Sequence, residues 1–195
     1  MHMYKKLMLS SGTLALLLCV AGATRLLAQE PLVGHPASHV GPDRLYPDPS
    51  QTPGKADTVS VEDLTDTYEC PTSLNKDTCT YSQSHRTVST SKRKKIYDAY
   101  GVPQNKRNRK SGEIDHFDPL CNGGSNDAEN LWYQPIKNNW DGKNFEYKEK
   151  DDLEAWVCRQ VKAGQLDPKV AFERITSDWV DYYKEVNPKH VKFSD

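Results

Sequence analysis

The stretch EIDHFDPLCNGGSNDAENLW, from Glu113 to Trp132, limits what this chain can fold into more than any other. On a strand, Glu113 and Asp115 point one way and Ile114 and His116 the other. Asp118-Pro119 then bends the chain, and Gly123-Gly124 supplies backbone angles that other residues resist. Leu131 to Gln134 reads as a returning strand. The bend predicts that the Asp115 carboxylate and the His116 ring approach one site. A carboxylate is a hard oxygen ligand for a divalent cation, and neutral histidine can take a proton from water near neutral pH. Asn130 follows His116 in the same loop, and its amide can bond both a backbone N–H and a backbone C=O, so it is a candidate to pin the loop.

The cysteines add a second constraint. The chain opens with a lysine-containing start and an uncharged apolar run from Leu7 to Ala23, followed by small residues as far as Ala28. That is the tripartite form of a secretory signal, read here as residues 1–28, and the run is short for a bilayer span. Cys19 belongs to that segment. Cys70, Cys79, Cys121 and Cys158 remain, an even number that predicts two disulfides in an exported chain. Of the three possible pairings, Cys70–Cys79 as a local loop and Cys121–Cys158 as a tie between the motif loop and a later helix are favoured. A zinc site needs closely spaced cysteine pairs, and the sequence has none. The expected location is secreted or periplasmic, with no membrane contact after cleavage.

Residues 29–69 read as a Pro-rich, disordered linker: six of the twelve prolines lie between Pro31 and Pro53, and no apolar period appears. Residues 70–187 are the expected folded domain, with its core at 111–163, and 188–195 is a tail. Ser91 to Tyr100 predicts a short helix capped by Ser91 and ended by Gly101. Phe145 to Ala163 predicts a longer helix carrying Leu153, Trp156, Val157 and Val161 on one face and stopped by Gly164. Asp167-Pro168 starts another, running to about Asn187. The fold class expected is α+β.

The motif stretch resembles the HNH nuclease signature: an acidic residue before a histidine, a glycine-rich loop, and an asparagine before leucine. It looks especially like a group of small bacterial HNH proteins in which a "KD-x-LE" helix, a cysteine at a helix end and a Trp-rich closing helix follow. Here those are Lys150-Asp151-Asp152-Leu153-Glu154, Cys158, and the helix around Asp178-Trp179. The resemblance covers roughly Ser111 to Val186. It implies a ββα-metal hairpin-plus-helix core with additional C-terminal helices. It implies His116 as the general base, Asp115 as a metal ligand and Asn130 as the residue that orients His116 through the loop. The cofactor implied is a divalent cation, magnesium first, with manganese, nickel or zinc as alternatives. It would act as a Lewis acid on the scissile phosphate and the leaving 3′ oxygen. One departure stands out. The family's third site residue, near the start of the final helix, has no histidine here. Asn139, Asn144 and Glu146 are the candidates, and Lys148, which also falls near the position, cannot bind a cation while charged.

Nine basic residues, Arg86, Lys92, Arg93, Lys94, Lys95, Lys106, Arg107, Arg109 and Lys110, precede the Asp-His strand with Asp98 as the one acid among them. Net charge is −1 overall, and removing Lys5, Lys6 and Arg25 leaves 23 basic against 27 acidic residues, about −4. Attraction to nucleic acid must therefore be local, and the eight from Lys92 to Lys110 are assigned to a sequence-independent grip on phosphates. The expected activity is metal-dependent endonucleolytic hydrolysis of DNA, with RNA as an alternative, by a monomer. Two rivals are a non-catalytic nucleic-acid-binding protein on a degenerate HNH scaffold and a secreted structural or interaction protein.

Overall fold

A computed structural model describes residues 45–140 and 143–186, without the side chains of 137–146. The signal segment, the start of the expected linker and the tail lie outside the described residues. The architecture is α+β, made of three separate two-stranded antiparallel sheets and a C-terminal helical pair.

The described chain starts with a strap that crosses the motif loop. Helix α1 (Val61–Thr65) follows, capped by Ser60, whose Oγ accepts from the Asp63 N–H. Strands β1 (Thr67–Glu69) and β2 (Thr78–Thr80) pair across the Cys70–Cys79 disulfide, whose Cα atoms are 5.1 Å apart. Helix α2 (Tyr81–His85) begins directly at β2 and stacks Tyr81 on His85 at 3.9 Å between ring centroids. Helix α3 spans Thr90–Ala99. Its cap is Ser89, two residues before the expected Ser91, because Ser89 Oγ reaches the Lys92 N–H at 3.2 Å.

Strands β3 (Gly112–His116) and β4 (Leu131–Pro135) form the central hairpin, with Asp115 opposite Trp132 and His116 opposite Leu131. A second hairpin, β5 (Lys137–Trp140) with β6 (Lys143–Glu146), then intervenes before the helix. The expected helix from Phe145 is thus corrected: Phe145 and Glu146 are the last residues of β6, and helix α4 runs Tyr147–Lys162. Asn139 and Asn144 face each other across this hairpin in backbone register. Helix α5 (Pro168–Val186) starts on Asp167, whose Oδ1 accepts from the Lys169 N–H at 2.7 Å. It breaks at Asp178, where the freed carboxylate caps the second half by accepting from the Asp181 N–H at 2.9 Å.

One core unites these elements. Trp132 and Leu131 of β4, Leu153, Val157 and Val161 of α4, and Ile175 and Trp179 of α5 are all buried. The α4 stripe read from the sequence is core at Leu153, Val157 and Val161, with Trp156 half-buried against it, and α4 packs on α5. The disordered-linker expectation fails over its described part, 45–69. Leu45 and Tyr46 are buried; Leu45 O accepts from Trp179 Nε1 at 2.9 Å, and the Tyr46 hydroxyl donates to Asp178 at 2.6 Å. Thr52 Oγ1 donates to Leu131 O at 2.9 Å. Backbone bonds then bind the strap to the motif loop: Gly54 N to Glu129 O, Ser125 N to Lys55 O and Asp57 N to Gly123 O, at 2.8–2.9 Å. The strap buries few side chains and fixes its place through main-chain pairing, which no hydrophobic period announces. Among the described residues no helix is long and apolar enough to cross a membrane.

Candidate active site

The loop between β3 and β4 is built around Asn130. Its Oδ1 accepts from the Asp118 N–H at 2.9 Å; its Nδ2 donates to Asp118 O at 2.9 Å and Ser125 O at 3.0 Å. A single buried amide therefore clasps both ends of the turn, and Phe117 N to Asn130 O at 2.8 Å closes the hairpin behind it. Gly124 permits the clasp. A Cβ there would lie 1.9 Å from Asp118 O and 2.9 Å from Asn130 Nδ2. Gly124→Ala is expected to push Asp118 and Asn130 apart and lower stability by about 1–3 kcal/mol, read as a reduced urea midpoint. An unchanged midpoint would show that the clasp yields without cost.

Asp118 is fully buried, with Oδ1 accepting from Asn122 Nδ2 at 2.8 Å and Oδ2 without a partner. Burial pushes its carboxyl up to about 7, against the opposing Asn122 bond. A carboxyl raised on folding favours the native state below its unfolded value and loses that advantage as pH climbs through 7. The protein should therefore lose stability between about pH 4 and 7 through this group, at about 1.4 kcal/mol per pH unit. Asp118→Asn should remove that slope and be the more stable form at pH 8, checked by urea unfolding at pH 5 and 8.

His116 ends β3 beside a cleft of about 250 Å³. Arg86, His116, Asp151 and Glu154 give the cleft its charge and chemistry, and Cys121 and Cys158 lie in its wall. The two cysteines are joined, with Cα atoms 5.5 Å apart, so the motif loop is tied to α4. Both disulfide pairings match the favoured scheme. Desolvation lowers the His116 pKa to about 4, against the pull of Asp115 and a hydrogen bond to Asn126. The ring is neutral at physiological pH. Its Nε2 lies 3.1 Å from Asn126 Oδ1, and Nδ1 is buried without a partner.

Asp115 does not join His116 in that cleft. Its Oδ2 accepts from Lys150 Nζ at 2.8 Å, and the same ammonium donates to His116 O at 2.7 Å and to Glu154 Oε1. Strand alternation explains this: neighbouring side chains leave opposite faces, and α4 delivers a cation to the Asp115 side. Asp115, expected to share a cation with His116, already has the Lys150 ammonium beside it. Burial alone would lower the Lys150 pKa; Asp115 and Glu154 more than offset this and hold it above the usual lysine range. Burial, then repulsion from Asp115, raises Glu154 to about 8, and burial with Asp115 and Glu113 raises Asp151 to about 6. The side chains of Asn139 and Glu146 lie outside the described residues. Among the described residues no three His, Cys, Asp or Glu side chains form a metal cage.

The basic residues divide into two groups. Lys92 Nζ donates to Asn126 O at 2.7 Å, Lys94 pairs with Asp98 at 2.6 Å, and Arg107 pairs with Asp98 at 2.7 Å and lies over Tyr97. Lys92 and Arg107 are thus engaged within the fold, while Lys94, in an exposed i, i+4 pair, keeps most of its side chain in solvent. Lys95, Lys106, Arg109 and Lys110 are exposed, and Arg93 is half-buried. Arg86 is the basic residue placed at the cleft. Lys150, Asp151 and Glu154 were visible in the sequence only as a helix pattern. Their i, i+3 and i, i+4 spacing puts them on one face, but nothing in the sequence aimed that face at His116. Asn126 had no such signal. The chain matches no known family, no curated protein and no solved structure.

Proposed function

We propose that this chain is an endonuclease of the HNH type that hydrolyses phosphodiester bonds in DNA, with RNA as the alternative substrate. The observation that carries the reading is a neutral imidazole, His116, at a cleft shared with the Arg86 guanidinium and two carboxylates whose pKa values are raised. A neutral imidazole can accept the proton of an attacking water. Arg86 can pair with a phosphate oxygen by a bidentate fork. Asn130 keeps the loop that carries His116 in shape. The β3–β4 hairpin followed by α4 supports the ββα comparison, with β5–β6 as an insertion.

A divalent cation belongs to this proposal, magnesium first. Asp115 fits poorly as a direct ligand because Lys150 already neutralises it. Asp151 fits better, because it lines the cleft, whereas Glu154, like Asp115, already shares the Lys150 ammonium. One carboxylate suits a cation most of whose positions are filled by water and substrate phosphate. When bound, the cation supplies Lewis-acid stabilisation of the phosphate and the leaving oxygen.

We further propose that Lys95, Lys106, Arg109 and Lys110 supply a phosphate grip, and that the protein works as an exported monomer. The two disulfides are compatible with an oxidising compartment. The test is to incubate the oxidised protein with supercoiled plasmid and with single-stranded RNA, with each of magnesium, manganese, nickel and zinc, and with chelator. Nicking that needs metal supports the reading, and intact substrate under all conditions overturns it. Changing the four basic residues to Gln should flatten the dependence of log affinity on log salt by about 3–4, close to 0.9 for each phosphate that is no longer neutralised. The commitment of Asp115 to Lys150 favours one second reading, binding without cleavage, which predicts the same salt dependence and no nicking.

A further inference from the structure

Asn126 carries no sequence signal, yet besides His116 it bonds to two other segments, the chain at the end of α2 and helix α3. Its Nδ2 donates to His85 O at 2.8 Å, and its Oδ1 accepts from the Thr87 N–H at 3.3 Å. Its own carbonyl accepts from Lys92 Nζ at 2.7 Å. The main-chain partners of the amide settle which way it faces. Reversing it would set oxygen against the His85 carbonyl and NH₂ against the Thr87 N–H, two repulsive approaches in place of two bonds. The oxygen of Asn126 must therefore face His116 Nε2, 3.1 Å away. An amide oxygen only accepts, so Nε2 carries the ring proton. A neutral imidazole with hydrogen on Nε2 has its lone pair on Nδ1, the ring nitrogen left without a partner.

We propose that Asn126 is a positioning residue that holds His116 as the Nε2–H form and leaves Nδ1 as its basic nitrogen. The inference rests on the proposed hydrolytic role of His116 for its functional meaning, and on hydrogen bonding alone for its structural content. It also gives the N-terminal disulfide region a purpose. His85 closes α2, which grows directly from the Cys70–Cys79 hairpin. Asn126 thus ties the orientation of the imidazole to a part of the chain outside the hairpin that carries it.

The test reads the imidazole nitrogens directly. ¹⁵N spectra of the oxidised protein should place the proton of His116 on Nε2 and leave Nδ1 unprotonated. In Asn126→Ala the two tautomers should mix. In Asn126→Asp, which keeps an acceptor oxygen toward Nε2 but gives up the bond to His85 O, the Nε2–H form should return in part. In the plasmid assay Asn126→Ala should lower kcat about 10- to 100-fold with KM little changed, the size of loss seen when a partner orienting a working imidazole is removed, and Asn126→Asp should recover part of it. A wild-type ring protonated on Nδ1, or an unchanged Nε2–H ring in Asn126→Ala, overturns the inference. If wild type leaves every substrate intact, the nuclease reading fails while the spectra still decide the role of Asn126. Should Asn126→Ala not fold, the wild-type and Asn126→Asp spectra decide it.

Discussion

His116→Gln is expected to stop plasmid nicking while leaving the fold in place. Gln is close in size and keeps an N–H for Asn126 Oδ1, so the hydrogen bond at 3.1 Å has a replacement donor. It offers no basic nitrogen. A positioned general base contributes about 10²–10⁴ in rate, and a loss of that size is the expected result at saturating metal and substrate. Near-UV circular dichroism and the urea midpoint should match wild type. Nicking that persists in this variant would remove His116 from its role, and with it the observation on which the nuclease reading stands. The same variant should bind plasmid as tightly as wild type, because the exposed basic residues are elsewhere.

Lys150→Met is expected to be the most damaging single change to stability. The ammonium is fully buried and satisfies Asp115 Oδ2, His116 O and Glu154 Oε1 together. Methionine fills most of the volume but leaves two carboxylates facing each other without a cation. Breaking a buried ion pair from one side costs about 3–5 kcal/mol, most of it the uncompensated charge. The loss should be larger at pH 8 than at pH 5, because Glu154 is a raised carboxyl and acid returns its proton. Adding Asp115→Asn and Glu154→Gln to Lys150→Met should recover a large part of the loss. Urea unfolding of the single and triple variants at both pH values checks this. A triple variant no more stable than Lys150→Met would mean that Lys150 acts by packing and not by charge.

Local pattern carried much of the fold. Alternation and turn chemistry read out the β3–β4 hairpin, and the core face of α4 followed from Leu153, Val157 and Val161 at helical spacing. Asp167-Pro168 marked the start of α5, and the cysteine count predicted two disulfides, while the choice among the three pairings was made by the fold. Each of these depends on residues close together in the chain, or on the chemistry of one residue type, so the sequence could determine it alone. Asn130 belongs with them, because its clasp on Asp118 spans a short loop.

The site was decided by packing between distant segments. Lys150 and Asp115 are 35 residues apart, and either one alone reads as an ordinary solvated charge or a metal ligand. Only the docking of α4 against β3 buries both, and burial converts a carboxylate expected to bind a cation into one that already has one. The Pro-rich strap is the same case in main-chain form. Leu45, Tyr46 and Thr52 are too sparse to make a period, yet they are buried because the backbone around Gly54 to Asp57 pairs with a loop some seventy residues away. A sequence pattern records the preferences of neighbours; which charge loses its water, and which amide oxygen ends up facing His116, follows from where the folded chain places segments that share no local signal.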